Sequence, residues 1–110
     1  MKIAVACNTP SPSSPVALRF GRAPWFLVYD TVAHRFDSLP HPFPDRGPAE
    51  AGIEAARLLR RTRIGVVVAG QFGDSALRIL HGARICVTSA GRITAAQALA
   101  DFKDGVLVDV

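Results

Sequence analysis

No stretch of this sequence is apolar for anything near the roughly 20 residues that a membrane span needs. The longest apolar runs, 64–69 and 3–7, have the length of strands. Cysteine is scarce. Cys7 and Cys86 are the only two, with no Cys-x-x-Cys pair and no Cys/His cluster at zinc spacing, so two reduced thiols are expected rather than a disulfide or a structural zinc. Acidic residues are absent from both central apolar runs, Lys2–Cys7 and Ile64–Ala69. Two-metal hydrolysis needs converging carboxylates, and Glu50 or Glu54 alone cannot hold such a site. No Ser/His/acid constellation is evident either, so a non-enzyme is expected. Lysine is nearly absent: two lysines stand against eleven arginines in a chain of formal charge +4.

An arginine-rich balance suits nucleic acid, an acidic protein or a small anionic ligand. Arginine holds multi-oxygen anions through a rigid fork of donors. No basic stripe is interleaved with aromatics, which argues against nucleic acid, and no segment suggests a membrane partner. Arg57, Arg60, Arg61 and Arg63 gather at one helix end, where positive charge is favoured without any ligand. The N-terminus enters a strand directly, without the apolar core of a signal peptide, so a cytoplasmic protein is expected.

The 110 residues fit one domain spanning 1–110. Lys2–Cys7 reads as a buried strand, followed by a loop stiffened by Pro10, Pro12 and Pro15. Trp25–Tyr29 and Arg35–Leu39 read as an antiparallel hairpin. After the proline-rich stretch Pro40–Pro48, a helix is expected from Pro48 to about Arg61, with proline in its first turn. Ile64–Ala69 reads as a strand buried on both faces, Asp74–His81 as a helix stopped by Gly82, and Arg84–Val87 as the next strand. Thr94-Ala95-Ala96-Gln97 is a capping box, with Ile93 and Ala98 as its hydrophobic staple, for a helix reaching about Phe102. Gly105 then releases an extended tail. The order β-β-β-α-β-α-β-α predicts a three-layer α/β domain of ribonuclease H-like type. Its mixed five-stranded sheet would have an antiparallel first hairpin and parallel later strands.

Ligands collect outside the carboxyl ends of parallel strands in such sheets. Those ends carry the Asn8–Arg22 loop, the turn Gly70-Gln71-Phe72-Gly73 and the loop 88–92, two of which run into helix N-termini. Arg19-Phe20-Gly21-Arg22 is either an anion clamp with an aromatic wall or a turn whose arginines pair with surface carboxylates. The Gly70–Gly73 turn lacks the lysine and spacing of a P-loop. Cys7, at the rim, is either a soft metal ligand or a small buried hydrophobe. Cys86 is expected in the core. Among the histidines only His41 sits in an irregular loop, as a metal ligand or as an exposed loop residue.

Three segments in order carry a family resemblance. They are Ser14-Pro15-Val16-Ala17-Leu18-Arg19-Phe20-Gly21-Arg22-Ala23-Pro24-Trp25-Phe26, Ala51-Gly52-Ile53-Glu54-Ala55-Ala56, and Val67-Val68-Ala69-Gly70-Gln71-Phe72-Gly73. Over Met1 to about Phe102 the chain resembles the dinitrogenase iron–molybdenum cofactor biosynthesis family, which includes proteins of orange-protein type. The resemblance implies non-catalytic binding, carrying or scaffolding of an anionic metal–sulfur cluster: iron–molybdenum cofactor or its precursor, an iron–sulfur cluster, or a molybdenum–copper sulfide. The expected cluster-binding residues are Asn8, Arg19, Phe20, Gly21, Arg22, Gly70, Gln71 and Gly73, with Cys7 or His41 supplying a direct metal bond. A protein that donates or accepts the cofactor is the implied partner. The rival expectation is a metal-free protein-interaction or regulatory module on the same fold.

Overall fold

The computed structural model describes residues 1–110. Strands β1 (Lys2–Cys7), β2 (Trp25–Asp30), β3 (Arg35–Pro40), β4 (Val66–Ala69), β5 (Cys86–Ser89) and β6 (Val108–Asp109) form one mixed sheet in the order β3-β2-β1-β4-β5-β6. β1, β4 and β5 run parallel, whereas the β1–β2, β2–β3 and β5–β6 pairs are antiparallel. Helices α1 (Pro48–Arg61) and α2 (Asp74–Gly82) pack on one face of the sheet. Helix α3 (Ala95–Lys103) packs on the other.

The alternation of side chains along the strands divides the core in two. On the α1/α2 side, Ala4, Ala6, Phe26, Val28, Val67 and Val87 meet Ala55, Ala56, Leu59, Ala76 and Leu80. On the α3 side, Ile3, Val5, Cys7, Leu27, Val66 and Val68 meet Ala95, Ala98 and Leu99. β4 is buried along its whole length because helices cover both of its faces. The one buried hydroxyl among its neighbours, Thr88, donates to the Val67 carbonyl at 3.0 Å, so its burial carries no unsatisfied group.

The sheet has six strands rather than the five expected. Gly105, at φ 72°, turns the tail back, and Val108 and Asp109 pair with Ser89 and Thr88. The outer edge of β5 would otherwise leave backbone groups unpaired. β4 and β5 each begin two residues later than expected, because the preceding helices close over those residues. Ile64 N–H donates to Leu59 O at 3.1 Å, and Ile85 N–H to Leu80 O at 2.9 Å. Both closures place an arginine, Arg63 at φ 59° and Arg84 at φ 60°, in the left-handed position where glycine is usual. Cys86 is exposed rather than core: with Val87 in the α1/α2-side core, alternation turns Cys86 to the other face at the start of β5, where it takes no part in the core packed under α3. The capping box forms by half. Thr94 Oγ1 accepts from Gln97 N–H at 3.2 Å, while the Gln97 amide turns to Asp101 Oδ1 at 2.7 Å instead of reaching back.

Candidate functional site

The carboxyl ends of β1 and β4 are joined by the incoming loop. Ala17 N–H donates to Ala6 O at 2.8 Å, Gly70 N–H to Ala17 O at 3.0 Å, and Phe20 N–H to Gln71 O at 2.9 Å. This lacing needs a glycine at 70, where a Cβ would stand 2.5 Å from Leu18 O. The chain then enters the short 3-10 turn Phe20–Arg22, which lies directly on α1. A Cβ on Gly21 would come within 2.9 Å of the Gly52 nitrogen, so two glycines set the separation of turn and helix.

These contacts leave a cleft of about 370 Å³ between the 3-10 turn and the first turns of α1 and α2. Phe20 and Phe72 stack beside it with ring centroids 5.1 Å apart, and Ala76 and Gly52 complete the apolar part. Arg19, Arg22, Gln71 and Ser75 line it with polar groups. The Arg19 guanidinium makes no hydrogen bond or ion pair within the chain, the only ion pairs being those of Arg46 and Arg57 with Glu54. Asp74 is the one acid in the lining.

The three helix N-termini differ sharply. In α3, Ala95 N–H donates to Ser14 O, Ala96 N–H to Pro12 O and Gln97 N–H to Thr94 Oγ1. Its first-turn donors are all engaged. Helix α2 begins after Gly73 with no side-chain cap, and the N–H groups of Asp74, Ser75 and Ala76 have no acceptor in the protein. Helix α1 begins after Gly47, also without a side-chain cap; Pro48 has no N–H, and those of Ala49 and Glu50 are free. Both uncapped termini open into the cleft, where free donors and the positive ends of two helix dipoles meet two arginines.

Of the residues singled out in the sequence, Arg19, Phe20, Gly21, Arg22, Gln71 and Gly73 come together at this cleft. Gly70 lies behind it, its N–H engaged by Ala17 O, and serves the close passage of Leu18. Asn8 is exposed in the proline loop, its N–H donating to Ser14 Oγ at 3.1 Å, outside the cleft lining. Cys7 is fully buried on the α3 side of the sheet, its Sγ 3.7 Å from Trp25 O, and burial pushes its thiol pKa up. It is placed as a small hydrophobe rather than as a rim ligand.

His41 is neither exposed nor free. Its Nε2–H donates to Ala51 O at 3.0 Å, its Nδ1 accepts from Phe43 N–H at 3.0 Å, and its ring stacks on Phe26. Burial lowers its pKa, which keeps the ring neutral in this tautomer. The proline-rich segment is tied a second time by Arg22, whose Nη1 donates to Pro44 O and Arg46 O at 2.9 and 2.6 Å. With five guanidinium donors, Arg22 braces this loop and still has others to offer the cleft. No group of three or more His, Cys, Asp or Glu side chains gathers anywhere in the chain to hold a metal ion.

The sequence pointed to helix N-termini at this end of the sheet but did not single out the residues that form the helical half of the site: Pro48, Ala49, Gly52, Asp74, Ser75 and Ala76. One signal was available. Gly52 interrupts an otherwise strong helix, and a glycine there marks a close approach of backbone.

A model of the family described as dinitrogenase iron-molybdenum cofactor matches residues 1–105. The chain belongs to this family. Among solved structures, the apo form of the orange protein from Desulfovibrio gigas is 31% identical, with TM-score 0.92 over 99% of this chain and 92% of that one. A NifB-like protein from Thermotoga is 24% identical, with TM-score 0.84 over 98% and 91% of the two chains. A dinitrogenase-like protein from Methanocaldococcus jannaschii shares the fold at 12% identity and TM-score 0.71, over 100% and 94%. No match is found among curated proteins. The three motifs that carry the resemblance map onto the 3-10 turn, the first two turns of α1 and the β4–α2 connection, so the family's characteristic residues surround the cleft.

Proposed function

We propose that this family member is a non-catalytic carrier or scaffold for an anionic metal–sulfur cluster, held in the cleft under Arg19 and Arg22. The observation that carries this reading is the contrast among the helices. The protein caps every first-turn donor of α3 but leaves those of α1 and α2 open toward one space flanked by two arginines. Such a space favours negative charge through free N–H groups, dipoles and guanidinium forks acting together.

The chemistry of the lining narrows the cargo. It offers hydrogen-bond donors and aromatic surface but no thiolate and no imidazole. A cluster that brings its own complete shell of sulfide, such as a molybdenum–copper sulfide, suits these walls. Iron–molybdenum cofactor or its precursor, or an iron–sulfur cluster with open coordination sites, needs ligands that a partner protein would provide. Cys7 and His41 stand outside the proposed contact set, because one is sealed on the far side of the sheet and the other has both nitrogens engaged.

The test is an anaerobic titration of the protein with thiomolybdate, with and without copper, and separately with an iron–sulfur cluster source. Gel filtration, metal analysis and visible absorption then report what is retained. A stoichiometric coloured complex that Arg19→Ala/Arg22→Ala loses supports the carrier. Retention undiminished in that variant overturns the cleft under Arg19 and Arg22 as the site, and colourless protein throughout overturns the carrier and leaves the metal-free interaction module.

A further inference from the structure

The two edges of the sheet are built differently. β6 is two residues long, which blunts its edge. β3 is six residues long, has no neighbour beyond it and is exposed at every position except Leu39. The ladder fixes which backbone groups it presents. His41 N–H donates inward to Pro24 O, so the alternate positions 39, 37 and 35 also face β2, while Phe36 and Ser38 direct their N–H and C=O groups outward. Pro40, without an N–H, ends the usable edge.

The side chains around these free groups are self-complementary. Arg35 and Asp37 flank Phe36, both are exposed, and neither forms an ion pair within the chain. Phe36, 44% exposed, lies against Tyr29 with ring centroids 5.0 Å apart, on the half of the α3 face that α3 leaves uncovered. An antiparallel pairing of two β3 strands centred on Phe36 exchanges both Phe36 hydrogen bonds and sets Phe36 against Phe36. It also places each Arg35 opposite the Asp37 of the other copy. Centring one residue earlier or later sets Arg35 against Arg35 or Asp37 against Asp37, and like charges directly opposite are destabilising.

We propose that β3 is a self-association edge through which two copies form a two-fold dimer with a continuous twelve-stranded sheet in the Phe36-centred register. No cleft residue belongs to β3, so the inference stands independently of the cargo and both clefts stay open. The contact is short, which places it among weak, transient interfaces.

The test is sedimentation velocity at low salt up to about 1 mM, in the concentration range of weak contacts. The wild-type chain should associate. Arg35→Asp and Asp37→Arg should each weaken association about tenfold, since both symmetric pairs turn repulsive. An equimolar mixture of the two variants should recover it, because each then meets its complement. In a Cys86→Ser background, Phe36→Cys should cross-link under mild oxidation and Ser38→Cys should not, because only position 36 meets its own copy within disulfide reach. A monomeric wild type at the highest concentration overturns the proposal. So does a mixture that stays as weak as its components, or a Ser38→Cys variant that cross-links as readily as Phe36→Cys.

Discussion

Gly70 and Gly73 lie three residues apart in one connection, yet replacing each by alanine should have unequal consequences. At Gly73 the new methyl would find no atom within 4 Å and φ is an ordinary −78°, so Gly73→Ala should cost only the N-cap's preference for glycine over alanine, at most about 1 kcal/mol. At Gly70 the methyl would stand 2.5 Å from Leu18 O and 3.0 Å from Leu18 Cα. An ordinary contact begins near 3.4 Å, so the Leu18 backbone must retreat by about 0.9 Å. It has little freedom to do so, because Ala17 is bonded to Ala6 and Phe20 to Gln71 on either side. Overpacking usually costs about 1–3 kcal/mol, and backbone against backbone belongs in the upper part of that range. At roughly 4–8 °C per kcal/mol for a small domain, Gly70→Ala should melt about 10 °C or more below the parent. The same displacement moves Arg19, so cargo affinity should fall as well. Thermal unfolding followed by circular dichroism, with calorimetry to check two-state behaviour, reads the first effect; the thiomolybdate titration reads the second. A Gly70→Ala protein melting within about 2 °C of the parent, or a Gly73→Ala protein destabilised as much, would refute the account of the laced loop.

Arg63→Gly and Arg84→Gly should each stabilise the fold by about 0.5–1 kcal/mol in denaturant titrations, because glycine adopts the left-handed conformation without a Cβ penalty. In the native protein one thiol per chain, Cys86, should react with a maleimide, and Cys7 should become reactive only on unfolding, as mass spectrometry of the labelled chains would show. The lowered pKa of His41 means that the unfolded chain binds a proton more readily than the folded one below the ordinary value of 6.5. Stability from this group is therefore complete above that pH and declines as pH falls through the folded pKa, and His41→Asn should flatten that part of a stability–pH curve. Thr94→Ala should cost about 1 kcal/mol, the loss of one cap, measurable in urea.

Local chemistry made much of the fold legible. The prolines and glycines marked the loops, the β-branched run marked the central strand, and Pro48 and Thr94 marked helix starts within a residue of where they fall. The arginine–glycine turn was recognisable as an anion-suited element because arginine flanking glycine carries that chemistry wherever it stands. What a linear reading cannot deliver is who satisfies whom. Whether a helix N-terminus is open depends on whether a distant carbonyl arrives to cap it, as Pro12 O and Ser14 O do for α3 and nothing does for α1 or α2. The same holds for Cys7, whose place at a strand end says nothing about which face it occupies, and for His41, whose burial comes from Phe26 and Ala51. The sixth strand formed because β5 had an edge to complete, a demand made by the assembled sheet and not by the residues 106–110 themselves. Sequence by itself determined the elements and the charge at the rim. Tertiary structure alone decided which donors stay free, because hydrogen bonding is settled by residues that meet only after the chain has folded.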